Sequence, residues 1–360
     1  MRFCSSLVLL LAMQLLRGQS SIPVVVHVVW YSPEENISEQ QIFSQLDALN
    51  RDFQAQNDLS IVPPGFRSLI ASAGISFCLA DMDPQGQPSN GILRRQTDIR
   101  QVASHRTGSQ KTICYTELGG SDAWDPSRYL NIWVGSFGGL WVGEASPPES
   151  TPSNEDGIRI DPRYFGTTGT ATPPYNLGHS LTHEIGHYLG LQHPWGAAND
   201  NKDCTQDDGI ADTPLQSKSY FGECPASGFT CGTPDMTMNF MNWTDDACLA
   251  MFTPGQKKRM QEVLQGTRKG LISGDNRCMS TSTQAPAPIE ANLQVFPNPG
   301  SGTFTLIRSN KSEAAHLYTA TGQWMRSIPP HQNSFELTGA APGLYILTCG
   351  NQQLKIIHLP

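Results

Sequence analysis

The residues best suited to chemistry run from position 183 to 193: His183-Glu184-Ile185-Gly186-His187-Tyr188-Leu189-Gly190-Leu191-Gln192-His193. Two histidines four apart project from one face of a helix, so both imidazoles can reach one ion. Glu184 stands beside them, placed to take a proton from a metal-bound water. Gly190 lets the chain turn sharply behind the helix and brings His193 round as a third nitrogen ligand, which leaves the fourth position of a tetrahedral zinc open. An open position marks a catalytic metal rather than a structural one. His27, His105, His179, His316, His331 and His358 lack this spacing and read as core or surface side chains.

These side chains need a helix and a frame to hold it. Leu177, Leu181, Ile185 and Leu189 form one stripe, which predicts a helix over about 176–189 that ends at Gly190. Ile22 to Trp30 is a β-branched run and reads as a buried central strand. Ser38 with Gln41 three residues on makes a capping box, and Ile42, Leu46, Leu49 and Phe53 then recur at helical spacing. Further strands are expected at Ile75–Leu79, Leu130–Val134, Leu140–Val142 and Ile158–Ile160. The class is α+β.

The chain has 360 residues, 38% hydrophobic and 16% charged, with 33 Gly and 26 Pro, a loop-rich composition that suits about two domains at roughly 100–200 residues each. A net charge of −8 leaves no basic face for nucleic acid, and Lys257-Lys258-Arg259 reads as a solvated helix surface. Residues 1–20 have the layout of a secretory signal peptide, with the apolar run Leu7 to Leu16 ahead of the small residues Gly18 and Ser20. No other run approaches the roughly 20 apolar residues of a transmembrane helix. A catalytic domain is expected over 21–273 and a Ser/Thr/Gln/Ala/Pro linker over 274–292. Over 293–360, short strands at Val295-Phe296, Phe304–Ile307, Leu317-Tyr318, Phe335–Leu337, Leu344–Leu347 and Lys355–Ile357 alternate with Asn-Pro-Gly, Thr-Gly and Pro-Gly turns, the pattern of a small β-sandwich. Eight cysteines remain beyond Cys4, none in a CxxC spacing, which suits disulfides in an oxidising compartment.

HExxHxxGxxH is also the zinc motif of the metzincin metalloproteases, and Asn239-Phe240-Met241-Asn242-Trp243 resembles their methionine turn. The stretches IPVVVHVVW, ENISEQQIFSQLDALNRDF, SDAWDPSRYLNIWV and NFMNWTDDACLAMFTPGQKKRM look like the pappalysin family (peptidase family M43) and its compact bacterial ulilysin-like members, over about residues 22–265. The resemblance implies a twisted five-stranded mixed sheet with two long helices above a loop-rich C-terminal subdomain, the zinc lying between them. It also implies His183, His187 and His193 as zinc ligands, Glu184 as general base and acid, and Met241 as a packing base. Trp243 stands where the family has tyrosine, and its indole either donates to the tetrahedral oxyanion or packs beneath the site.

In the family, disulfides join Cys204 with Cys231 and Cys224 with Cys248; sequence alone permits three pairings of the four. Cys78 with Cys114 is a further expected pair. Asp207, Asp208, Asp212 and Thr213 offer oxygen ligands where relatives bind calcium, the competing reading being a solvated acidic loop. Asp245 and Asp246 either line the pocket for the side chain after the scissile bond, selecting Arg or Lys, or cap a helix. Relatives carry a propeptide cysteine that blocks the zinc; no cysteine lies between 21 and 77, so such a switch is expected to be absent. The tail, VFPNPGSGTFTLI through TATG to PGLYIL and LKIIHLP, looks like the sorting domain of type IX secretion, with the secretion machinery as partner; a structural or carbohydrate-binding sandwich is the alternative. The expected activity is that of a secreted zinc endopeptidase acting on protein or peptide substrates, and its rival is a noncatalytic zinc-stabilised adhesion or binding module.

Overall fold

Strand β1 (Ser20–Trp30) forms the spine of the main sheet. Its Val24, Val26 and Val28 side chains enter the main core, while Val25 and Val29 enter separate clusters on the opposite face. A strand buried on both faces needs a continuous apolar run, which is why its sequence does not alternate. The exception is His27, whose ring nitrogens meet Ser121 Oγ at 2.9 Å and Asn131 Oδ1 at 3.0 Å. Burial holds it neutral, with its pKa lowered to about 4.

The computed structural model describes residues 20–148, 154–196, 204–225, 227–273, 278 and most of 293–359. The expected signal peptide, apart from Ser20, and the expected linker, apart from Cys278, lie outside these residues. The chain divides into two compact units, Met1–Met279 and Ser280–Pro360.

In the first unit, β2 (Ile75–Leu79) and β3 (Ile92–Gln96) both pair parallel with β1, along its first and second halves respectively. On the other side lie β4 (Leu130–Val134), β6 (Ile158–Ile160) and β5 (Gly143–Ala145), the last antiparallel at the edge. The sheet is mixed, as the resemblance implied, but it has six strands rather than five. The chain leaves β1 at Ala80, whose N–H donates to Val24, and rejoins it where Val26 donates to Gly91. Leu140–Val142, expected as a strand, precedes the observed edge strand β5.

Helix α1 (Glu39–Phe53) opens with only half of the expected capping box: Ser38 Oγ accepts from Gln41 N, but the Gln41 amide donates instead to Pro162 O and Phe165 O. The helix buries Ile42, Leu46, Leu49 and Phe53 as expected. Helix α2 (His179–Tyr188) begins later than the apolar stripe suggests because Gly178 adopts a left-handed φ of 85°. Beyond it come β7 (Phe221–Gly222) and β8 (Trp243–Thr244), paired parallel, then α3 (Pro254–Gln265), which opens with a reciprocal capping box of Thr253 and Gln256. Arg259 on α3 is not merely solvated: its Nε donates to Gly190 O at 3.1 Å.

Disulfides join Cys204 with Cys231 and Cys224 with Cys248. The expected Cys78–Cys114 pair does not form. Cys78 on β2 bonds Cys278 instead, whereas Cys114 is buried among Val29, Val102, Ile113 and Trp133 in a different cluster. There the apolar surroundings push its thiol up to about 12.

The second unit carries β9 (Gln294–Phe296), β10 (Thr303–Ile307), β11 (Ala315–Thr319), β12 (Trp324–Ile328), β13 (Ser334–Glu336), β14 (Gly343–Cys349) and β15 (Gln352–His358). They form two antiparallel sheets, β9-β10-β13 and β12-β11-β14-β15. Val295, Phe304 and Phe335 from the first sheet and Leu317, Leu347 and Ile356 from the second share one buried cluster.

Candidate active site

On α2, Leu181 and Ile185 are fully buried in the core and fix the roll of the helix, so His183 and His187 face the cleft. Leu191 N then donates to Gly186 O and Gly190 takes a φ of 86°, a helix stop that reverses the chain and returns His193 to the same point. The Nε2 atoms of His187 and His193 lie 3.0 Å apart, and those of His193 and His183 lie 3.2 Å apart. Three nitrogens of a tetrahedral zinc, each at roughly 2.0–2.1 Å from the ion, would be separated by roughly 3.3–3.4 Å, close to this spacing.

The outer nitrogens are committed elsewhere. His183 Nδ1 meets Phe240 O at 2.8 Å and His187 Nδ1 meets Leu191 O at 2.9 Å, so each Nδ1–H donates to a carbonyl and each Nε2 lone pair points inward. Burial lowers the pKa of all three histidines, that of His183 to about 3, keeping them neutral as metal ligands must be. The residues present therefore fit a zinc ion. Among the described residues no other group of three or more His, Cys, Asp or Glu side chains could hold a metal.

The methionine turn lies directly beneath. A Cβ at Gly186 would stand 2.3 Å from Met241 Sδ, so only glycine lets the turn pass so near the helix. The turn is held by Asn239, whose Oδ1 accepts from Met241 N and whose amide exchanges two hydrogen bonds, at 2.8 and 2.9 Å, with Gln256 of the α3 capping box. Neither Asn239 nor Gln256 is apparent from spacing alone.

Glu184 is buried beside the triad, and burial pushes its carboxyl up to about 8 against the opposing charge of Arg159. A dication at the triad would act in the same direction as Arg159 and favour the carboxylate. Arg159 is itself buried, donating to Ala103 O at 2.7 Å and pairing with Glu144, which also meets Lys111 at 3.2 Å. Edge strand β5 comes within contact of Glu184 because residue 143 is glycine: a Cβ there would lie 3.0 Å from Glu184 Cγ and 3.1 Å from Arg159 O. Gly143→Ala is expected to displace Glu184 and lower kcat about 10–100-fold with zinc content unchanged; single-turnover peptide cleavage beside metal analysis checks this.

Asp246 caps α2 from a distant loop. Its Oδ2 accepts from Leu177 N at 2.8 Å and His179 N at 3.4 Å, and its carbonyl accepts from His179 Nδ1 at 2.8 Å. Burial raises its pKa to about 6. Behind the helix, Asp52 accepts from Thr182 Oγ1 at 2.6 Å and lies 3.6 Å from His179 Nε2. His179 is thus a structural link between α1, α2 and the 246 loop. Asp245 is not among the cleft-lining residues, whereas Asp246 is. Trp243 lines the cleft with its ring centroid 4.7 Å from that of His193, whose other neighbour, Trp195, is stacked at 4.6 Å.

The acidic loop spends its carboxylates locally. Asp208 accepts from Ile210 N and Thr213 Oγ1, and Asp212 accepts from Thr253 Oγ1 at 2.6 Å and Gly255 N at 2.8 Å.

A histidine triad, His183 buried and His187 and His193 half-buried, next to a carboxylic acid and opening onto a cleft of about 590 Å³, defines a metallopeptidase centre. Residues 116–265 match the peptidase M43 family, described as pregnancy-associated plasma protein-A. An extracellular metalloprotease of Colletotrichum graminicola is 36% identical over 249 residues, which span 67% of this chain and 74% of that protein. One from Arthroderma benhamiae is 29% identical over 254 residues, spanning 69% and 79%. Mature mirolysin of Tannerella forsythia, solved in complex with a cleaved peptide, is similar at 38% identity and a TM-score of 0.66, covering 71% of this chain and 96% of that one. The chain belongs to the M43 family of metalloendopeptidases. Among the described residues no helix is long and apolar enough to cross a membrane.

Proposed function

We propose that the chain is a secreted zinc endopeptidase in which Glu184 handles the proton and His183, His187 and His193 hold the metal. The observation that carries this is Glu184, buried beside three converging Nε2 atoms on the floor of an open cleft. When bound, zinc supplies Lewis acidity, polarising the scissile carbonyl and making water acidic near neutral pH. Glu184 accepts the proton of the attacking water and returns it to the departing amine. The substrate lies extended along the 140–142 rim and the edge strand β5, adding main-chain hydrogen bonds as a further strand. That a relative was solved with a cleaved peptide supports this substrate class. Met241 supports the site from below, and we assign Trp243 to packing against His193 rather than to the oxyanion.

Selection of Arg or Lys after the cut rests on Asp246 alone, and that carboxylate already serves two backbone N–H groups. Calcium bound by Asp207, Asp208, Asp212 and Thr213 would have to displace the hydrogen bonds that Asp208 and Asp212 now accept. The second unit, read as a β-sandwich that addresses the chain to type IX secretion, is supported by its two sheets and shared core, and export begins with the signal peptide at 1–20.

The full chain is expected to cut a degenerate peptide library, to lose all cutting to a zinc chelator, and to regain it on adding zinc. Cutting that survives stoichiometric zinc removal would refute the mechanism, and a chain that binds zinc but cuts nothing would revive the adhesion-module reading.

A further inference from the structure

Large apolar side chains are normally withdrawn from water, yet Leu140, Trp141 and Phe221 are each 68% exposed, and all three line the catalytic cleft. Their exposure does not come from a loose backbone. Phe221 is paired in register with Trp243, Asp245 N donates to Gly222 O at 2.9 Å, Tyr220 N donates to Asn242 Oδ1 at 3.2 Å, and the Cys224–Cys248 bond closes the segment. Its ring lies 5.0 Å from that of Trp243, which in turn lies 4.7 Å from His193, so the ligand's imidazole is continued by two aromatic rings towards the cleft mouth. On the 140–145 rim, Trp141 and Leu140 are held between buried Phe137, whose N–H donates to Asp161 Oδ2 at 2.9 Å, and Val142, whose carbonyl accepts from Asp161 N at 3.0 Å.

Apart from Glu184, the carboxylates that line the same cleft are already engaged. Glu144 is paired with Arg159 and Lys111, and Asp246 with the N-terminal amides of α2. An apolar side chain entering between these rims covers exposed ring surface and strands neither of these carboxylates, whereas a charged one finds both partners taken. Aromatic rings gain further from offset or edge contacts with Phe221 and Trp141. Rigidly presented, water-exposed apolar surface inside a reaction cleft is surface awaiting a ligand.

We propose that Phe221, backed by Trp243, and Trp141, which lines the same cleft, form a substrate subsite that selects a large apolar side chain, aromatic above aliphatic, at one position of the peptide near the scissile bond. This deepens the endopeptidase reading and rests on it. Phe221 and Trp141 are specificity-determining residues that take no part in proton transfer.

The test uses the zinc-loaded full chain and paired peptides that differ only by Phe, Leu or Ala at each position around the cut. One position is expected to prefer Phe over Ala by roughly 10-fold or more in kcat/KM, the scale of a hydrophobic pocket's discrimination. In Phe221→Ala and in Trp141→Ala that ratio is expected to fall towards one, and in Phe221→Leu the aromatic-over-Leu preference is expected to vanish while Leu over Ala remains. The same peptides are titrated by calorimetry into the Glu184→Gln full chain, which binds without cutting. No apolar preference at any position, or a preference that Phe221→Ala and Trp141→Ala leave intact, overturns the subsite. A Phe221-dependent preference in binding, with no turnover in the unsubstituted chain, upholds the subsite and overturns the endopeptidase reading instead.

Discussion

Glu184→Gln in the full chain is expected to retain one zinc and lose about 10²–10⁴-fold in kcat, the usual contribution of a general acid–base group. The amide keeps the shape and burial of the side chain but can neither accept a proton nor deliver one at neutral pH. Zinc should stay because none of the three converging nitrogens belongs to residue 184, and two of their rings are oriented by the carbonyls of Phe240 and Leu191. KM should change little, since the edge strand and the apolar rims are untouched. Metal content by mass spectrometry, beside kcat and KM on one cleaved peptide, separates the outcomes. Loss of zinc would mean that residue 184 shapes the ligand set, and near-normal kcat would remove Glu184 from the mechanism.

What could be read from the chain is what short-range geometry dictates. The ligand spacing follows from one helix turn plus a glycine stop, and β1 and α1 announce themselves through β-branched and 3.6-residue patterns over a dozen residues. The parts that escaped reading depend on which distant residues meet. Cys78 finds Cys278 across a separation of 200 residues, and nothing local to Cys114 marks it as a cysteine left free. Strand β3 reads poorly because it is only partly buried: Ile92, Leu93 and Arg95 are half-covered while Arg94 and Gln96 are exposed, so its sequence, Ile-Leu-Arg-Arg-Gln, shows no clean alternation. The start of α2 is set by the left-handed Gly178 and reinforced by Asp246, 67 residues from His179, so the apolar stripe over 176–189 overstates the helix at its N-terminal end. The Asn239–Gln256 amide pair and the Gly143 contact with Glu184 are likewise decisions of the fold.

The largest expected effect on stability comes from a residue with no sequence signature, Arg268. Its side chain is buried just past α3 and satisfies four partners at once. Nε donates to Tyr188 O at 2.9 Å, the two terminal nitrogens grip Asp156 at 2.8 and 2.9 Å, and Nη2 also reaches Ser146 O at 3.2 Å and Pro147 O at 3.5 Å. The guanidinium lies 3.5 Å from the Tyr188 ring centroid. Tyr188 closes α2, so the cation sits at the negative end of the helix carrying His183, Glu184 and His187 and fastens it to the segments flanking β5 and β6. Removing one member of a buried pair leaves the other charged without compensation, which costs about 3–5 kcal/mol. Arg268→Ala should therefore lower Tm of the catalytic unit by roughly 6–20 °C, at about 2–4 °C per kcal/mol for a unit of this size. Arg268→Lys keeps the charge but cannot reproduce the fork that serves Asp156, Ser146 and Tyr188 together, so it should recover only part of the loss. Asp156→Asn in the Arg268→Ala background removes the stranded carboxylate and should restore stability relative to Arg268→Ala alone. Calorimetry on the five chains, Asp156→Asn alone included, decides the matter: an unshifted Tm in Arg268→Ala would show that the pair is not a support of the active-site helix, and additive losses in the double variant would show that Arg268 and Asp156 act separately.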